Sequence, residues 1–104
     1  MFDRRLSRDV PMKIVLFGSR APGGQPTEQS DLDLAWVISD EACKLEVARA
    51  LKQKYSDATV QSFPDYGPNQ AKSLLHILVM TESELIDPIH PLSRNIRAGR
   101  VLAC

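Results

Sequence analysis

The sequence lacks three features that would assign it to a special class of protein. It has only two cysteines, Cys43 and Cys104, and their spacing is neither that of a zinc site nor that of a redox CxxC motif. Its thirteen basic and thirteen acidic side chains cancel, so the net charge does not indicate phosphate neutralisation on a nucleic acid. No segment approaches the roughly 20 apolar residues that span a bilayer. We therefore expect reduced thiols, a cytoplasmic location, and neither secretion nor membrane insertion.

The composition is that of an ordinary folded protein. Of the 104 residues, 43% are hydrophobic and 25% are charged, which is far from the composition of a disordered chain. A chain of this length has room for one hydrophobic core. We therefore expect residues 1–104 to form a single domain.

Proline and glycine divide the chain into short elements. After a polar segment at 2–9, apolar and β-branched runs predict strands at 13–17, 31–38, 58–63 and 74–80. Helices are predicted at 41–55, 82–87 and 91–98, with N-cap candidates at Ser39 and Asp40 and a left-handed Gly99 after the last helix. In the first helix one side is predicted to be buried, and it carries Leu45, Ala48, Leu51 and Tyr55. The order of elements is typical of an α/β or α+β sheet domain.

Two aspartates at alternate positions of the second predicted strand form a candidate metal site. Alternate side chains of a strand point to the same face, so Asp31 and Asp33 place two carboxylates side by side. These like charges repel each other and need nearby positive charge to remain ionised. A hard divalent cation such as Mg²⁺, bound by carboxylates together with phosphate oxygens, supplies that charge.

The turn after the first predicted strand forms a candidate phosphate site. Gly18 permits close approach of a ligand to the backbone, whose N–H groups can point at a phosphate. Ser19 adds a hydroxyl donor and Arg20 a permanent cation. The loop that leads from here to Ser30 would bring the phosphate site opposite the carboxylates of Asp31 and Asp33, as nucleotidyl transfer requires.

These motifs resemble those of a known family. Segment 18–23 reads GSRAPG and segment 30–34 reads SDLDL, and together they resemble the signature of minimal nucleotidyltransferases in the DNA polymerase β-like superfamily. Segments 75–85 and 95–102 are similar to the last strand and the ending of that family. The resemblance therefore covers most of the chain.

The resemblance implies a mixed β-sheet with helices packed on one face, and ATP or another NTP as the donor. It implies Mg²⁺ or Mn²⁺ held by Asp31 and Asp33. The resemblance also implies that two segments hold the nucleotide. They are the turn after the first strand and the serine before the aspartates, with the residues Gly18, Ser19, Arg20 and Ser30. A third carboxylate normally lies on a later strand of these proteins, and at that position this sequence has His76.

His76 has two interpretations. A neutral imidazole is a poor ligand for Mg²⁺, but it can accept a proton near neutral pH and so act as a catalytic base. By strand parity it would share the cleft of Asp31 and Asp33 if the two strands are adjacent. His76 also shares its strand face with Leu74, Leu78 and Met80, which favours a core histidine that hydrogen-bonds a neighbour. Tyr66, in the predicted loop 64–69, is a further candidate for the nucleotide rim.

Two functions follow. The first is transfer of a nucleoside monophosphate, AMP from ATP, to a hydroxyl on a partner macromolecule. The resemblance implies that this partner is a HEPN-domain toxin and that the chain is its antitoxin. The second is a binding module with weakened catalysis, which neutralises its partner by contact. The sequence leaves the acceptor, the preferred NTP and the formation of a homo-oligomer open.

Overall fold

The computed structural model describes residues 11–18, 32–66 and 74–103. Within these ranges the elements, in chain order, are β1 (Lys13–Phe17), β2 (Leu32–Ile38), α1 (Lys44–Lys54), β3 (Thr59–Ser62), β4 (Leu75–Thr81), α2 (Glu82–Leu85), α3 (Pro91–Arg97) and β5 (Arg100–Ala103). The strands form one sheet in the order β3-β4-β2-β1-β5. β1 is antiparallel to both of its neighbours, whereas β4 is parallel to β2 and to β3. The predicted mixed sheet of a small α/β fold is confirmed.

The helices lie on both faces of the sheet, and not on one face as we predicted. On one face, side chains of β1, β2 and β4 pack against Leu85 of α2 and Ile96 of α3. On the opposite face, other side chains of β2 and β4 pack against Val47 and Leu51 of α1. The reason lies in the two central strands, which are buried at consecutive positions and not only at alternate ones. Such strands need cover on both faces.

The buried face of α1 agrees with the prediction at Ala48 and Leu51 and differs from it at Leu45 and Tyr55. Val47 and Leu51 are each 1% exposed, whereas Leu45 is 64% exposed and Tyr55 is 37% exposed. The helix begins at Lys44 after Cys43, which makes no side-chain capping hydrogen bond. The start was predicted three residues too early, because the carboxylate of Asp40 does not cap α1 but interacts with α2.

Asp40 links the segment after β2 to the start of α2. One of its carboxylate oxygens accepts a hydrogen bond from the backbone N–H of Ser83, and the other accepts one from the Ser83 hydroxyl. These bonds favour the ionised carboxylate, and they lower the pKa of Asp40 below its ordinary value of 3.8. The interaction joins the two faces of the domain at the carboxyl ends of β2 and β4.

The stabilisation by Asp40 should be lost in acid. Because the pKa of Asp40 is lower in the folded state than in the unfolded state, its contribution is present above the unfolded value and is lost as the pH falls through the folded value. We expect Asp40→Asn to be less stable than the wild type at pH 6, and this difference to shrink at pH 3. Urea denaturation at both pH values measures it, with Asp57→Asn, an exposed aspartate between α1 and β3, as the control. An equal difference at both pH values would contradict the expectation.

The end of the chain forms a strand that we did not predict. α3 ends at Arg97 and β5 follows at Arg100, paired with β1. Of the two glycines in the described ranges, only Gly18 has a positive φ, so the predicted left-handed Gly99 is wrong. A Cβ on Gly99 would collide with the carbonyl oxygen of Leu16. Glycine is therefore needed here because β5 approaches the backbone of β1 closely.

The other predicted strands and short helices agree with the structure to within one or two residues. The polar segment 2–9 and the loop 21–29 lie outside the described residues. Within the described ranges, the helices are too short and too polar for any of them to cross a membrane.

Candidate functional site

The candidate site lies at one end of the sheet and is formed by residues of three adjacent strands, β1, β2 and β4. Asp33, near the start of β2, is in register with Phe17 at the end of β1. On its other side Asp33 is in register with His76, near the start of β4. The antiparallel pairing of β1 with β2 and the parallel pairing of β2 with β4 thus bring Gly18, Asp33 and His76 together. His76 thus faces Asp33 from the adjacent strand, while its catalytic role stays a prediction.

Gly18 lies directly against the carboxylate of Asp33. Its φ is +79°, which L side chains rarely adopt. A Cβ built on Gly18 would lie 2.5 Å from Oδ2 of Asp33. Both the backbone conformation and the space therefore require glycine at this position, next to Asp33.

The other carboxylate oxygen of Asp33 faces two aromatic residues. Oδ1 accepts a hydrogen bond of 2.9 Å from the hydroxyl of Tyr66, and it lies 3.6 Å from Nδ1 of His76. The side chain of Asp33 is 13% exposed and that of His76 is 2% exposed. The Asp33 side chain is therefore partly accessible to a ligand from solvent, whereas the His76 side chain is buried.

His76 is enclosed by polar and aromatic partners. Its Nε2 is 2.5 Å from Oε1 of Gln61, and its Nδ1 faces Asp33. Its ring stacks on that of Tyr66, with a centroid distance of 4.8 Å and an interplanar angle of 18°. Nε2 thus has a hydrogen-bond partner and Nδ1 lies beside a carboxylate, which agrees with the core-histidine interpretation. Because His76 is 2% exposed, the surrounding side chains would have to move before it could accept a proton from an acceptor hydroxyl.

Two residues of this cluster have a place that sequence reasoning missed. Tyr66 lies inside the cluster, with its ring 5.6 Å from that of Phe17, while its place at a nucleotide rim stays a prediction. Gln61 lies on β3, on the side of the sheet that carries His76 and Leu78. The available signal was the alternation of Thr59 and Gln61, two polar residues on one face of a short strand.

Four predicted site residues cannot be compared with the structure. Ser19, Arg20, Ser30 and Asp31 lie outside the described ranges. The phosphate site and the carboxylate pair therefore stay predictions. In the described part of the chain, no group of three or more His, Cys, Asp or Glu residues is arranged to hold a metal ion.

Among the described residues of this cluster, one side chain is a suitable ligand for Mg²⁺. Mg²⁺ is usually bound by one or two carboxylates, with water and phosphate oxygens completing its shell. Asp33 provides such a carboxylate, and it is partly accessible to solvent. His76 does not fit as a ligand, because its nitrogens already face Gln61 and Asp33. A metal here would depend on Asp33 together with Asp31.

Comparison of the chain with protein-family models, with curated proteins and with solved structures produced no match. The likeness to minimal nucleotidyltransferases therefore depends on the sequence motifs described above.

Proposed function

We propose that this protein is a Mg²⁺-dependent nucleotidyltransferase of the cytoplasm, which transfers a nucleoside monophosphate from an NTP, AMP from ATP, to a hydroxyl of a partner macromolecule. One observation carries the proposal. Gly18, at a positive φ, lies against the carboxylate of Asp33. The turn with the phosphate-binding motif thus begins at the carboxylate of the metal-binding motif, as transfer from a metal-bound triphosphate requires.

Each motif residue has a role in this proposal. Asp33 and Asp31 would hold Mg²⁺, which when bound neutralises charge on the phosphates and orients them. The backbone at Gly18 and the hydroxyl of Ser19 would bind the phosphates, and Arg20 would stabilise their charge. Ser30 would lie on the nucleotide side of the aspartates. The acceptor hydroxyl would come from a partner protein, such as a HEPN-type toxin.

A second candidate function is favoured by His76. At the position where a third carboxylate would activate the acceptor, the chain has a histidine that is 2% exposed and contacts Gln61 and Asp33. Such a group adds no negative charge to the site and is buried from solvent. This observation favours a nucleotidyltransferase-like binding module that neutralises its partner by contact. Release of pyrophosphate from ATP by the purified protein with its partner distinguishes the two functions, because only the enzyme releases it.

The metal role of Asp33 can be tested by melting. We expect Mg²⁺ with ATP to raise the melting temperature of the wild type, and Asp33→Asn, alone or with Asp31→Asn, to abolish the rise. The reason is that a ligand stabilises a protein by binding its native state, and the amide removes the charge that holds the cation. Differential scanning fluorimetry measures the rise. Asp65→Asn, an exposed aspartate close to Tyr66 in the chain, is the control and should keep it. An undiminished rise in Asp33→Asn would place the metal elsewhere.

A further inference from the structure

The hydroxyl of Tyr66 holds the carboxylate of Asp33. It donates a hydrogen bond of 2.9 Å to Oδ1, whereas Nδ1 of His76 is 3.6 Å from the same oxygen. The first distance is within the usual range for a hydrogen bond and the second is beyond it. Tyr66 therefore orients this oxygen more directly than His76 does, although His76 is the direct strand neighbour.

The two oxygens of Asp33 have different surroundings. Oδ1 accepts the hydrogen bond of Tyr66, and Oδ2 lies beside Gly18, where an added Cβ would be 2.5 Å from it. A carboxylate turns about its last C–C bond, and the hydrogen bond from Tyr66 restricts that rotation. A ligand group that is already oriented loses less freedom when it binds an ion.

The ring of Tyr66 is itself held in place. It stacks on His76 at 4.8 Å and lies 5.6 Å from Phe17, which are residues of two sheet strands. His76 is in turn bound through Nε2 to Gln61. The position of the hydroxyl is thus determined by the sheet, although Tyr66 lies after the end of β3.

From this geometry we propose that Tyr66 is a positioning residue, which orients the carboxylate of Asp33 for a divalent cation. The inference rests on the proposed function, because it assumes that Asp33 binds the metal. The hydroxyl brings no charge and does not occupy the place of a ligand. When a group that hydrogen-bonds a metal-binding carboxylate is removed, the affinity for the metal commonly falls by roughly 10-fold to 100-fold.

The test uses Mn²⁺ alone as the probe, with its binding followed by electron paramagnetic resonance and by calorimetry. Tyr66→Phe keeps the ring and removes the hydroxyl, and we expect its dissociation constant for Mn²⁺ to rise by about 10-fold to 100-fold. Tyr66→Leu also removes the stacking, and should show a similar rise together with a lower melting temperature. Tyr55→Phe removes a hydroxyl from the C-cap residue of α1, and should bind Mn²⁺ as the wild type does.

The outcomes separate this inference from the proposed function. If Asp33→Asn weakens Mn²⁺ binding but Tyr66→Phe does not, the role of Tyr66 is overturned and the metal site remains. If only Tyr66→Leu weakens binding, the ring and not the hydroxyl matters, and the inference is again overturned. If Asp33→Asn binds Mn²⁺ as the wild type does, both fail. Weaker binding in Tyr66→Phe and in Asp33→Asn, with an unchanged melting temperature of the metal-free Phe variant, supports the inference.

Discussion

Replacing His76 with Asp is expected to lower the free energy of unfolding by about 3–5 kcal/mol at neutral pH without divalent metal, the usual cost of an uncompensated buried charge. His76 is 2% exposed, and its Nδ1 is 3.6 Å from Oδ1 of Asp33. The new carboxylate would face that of Asp33 in a site with little water, and the contact with Gln61 would be lost. Urea denaturation measures the loss.

The matched control for this prediction is His76→Asn, which has the shape of aspartate without its charge. It should lose less stability, since a neutral amide costs less to bury than an ion. Equal stability of the Asp and Asn variants without metal would contradict the prediction, because the site would then accommodate the charge.

Divalent metal should reverse part of the loss in His76→Asp. If Asp33 binds Mg²⁺, a second carboxylate beside it adds ligand charge and strengthens the site. Mg²⁺ should then raise the melting temperature of His76→Asp more than that of the wild type or of His76→Asn. An effect of Mg²⁺ that is the same in all three proteins would show that residue 76 is too far from the cation to contribute.

Replacing Gly18 with Ala should lower the free energy of unfolding by about 2–5 kcal/mol. A side chain at a positive φ costs about 1–2 kcal/mol, and the new Cβ would lie 2.5 Å from Oδ2 of Asp33, an overlap that typically costs about 1–3 kcal/mol. A rotation of the carboxylate that relieves this overlap would disturb its hydrogen bond with Tyr66. The melting response to Mg²⁺ with ATP should therefore weaken as well.

A double-mutant cycle separates the two causes. In an Asp33→Ala background the collision is gone, so Gly18→Ala should there cost only the backbone strain. The coupling between the two positions should be about 1–3 kcal/mol, as for other residues in contact. Urea denaturation of the four proteins measures it. The same cost in both backgrounds would mean that Asp33 does not lie against Gly18.

Much of the fold could be predicted because the signals are local. The apolar run of β1 and the breakers around it are properties of neighbouring residues, and so is the turn at Gly18 after that run. The start of α1 was predicted incorrectly because it depends on a contact with a residue that is distant in the chain. Asp40 has the chemistry of an N-cap, but its oxygens bind Ser83, which is 43 residues away in the chain.

Of the candidate site, the sequence by itself determined the residue types and the elements that carry them. Asp33 at the start of a strand, Gly18 at the end of another and His76 in a third were all predictable, because periodicity describes a residue within its own element. Only the tertiary structure decided which strands adjoin, that β5 pairs with β1, and that helices cover both faces of the sheet. It also placed the hydroxyl of Tyr66 on Asp33, 33 residues away. Pairing between distant segments depends on how all strands pack together, and a local pattern does not contain that information.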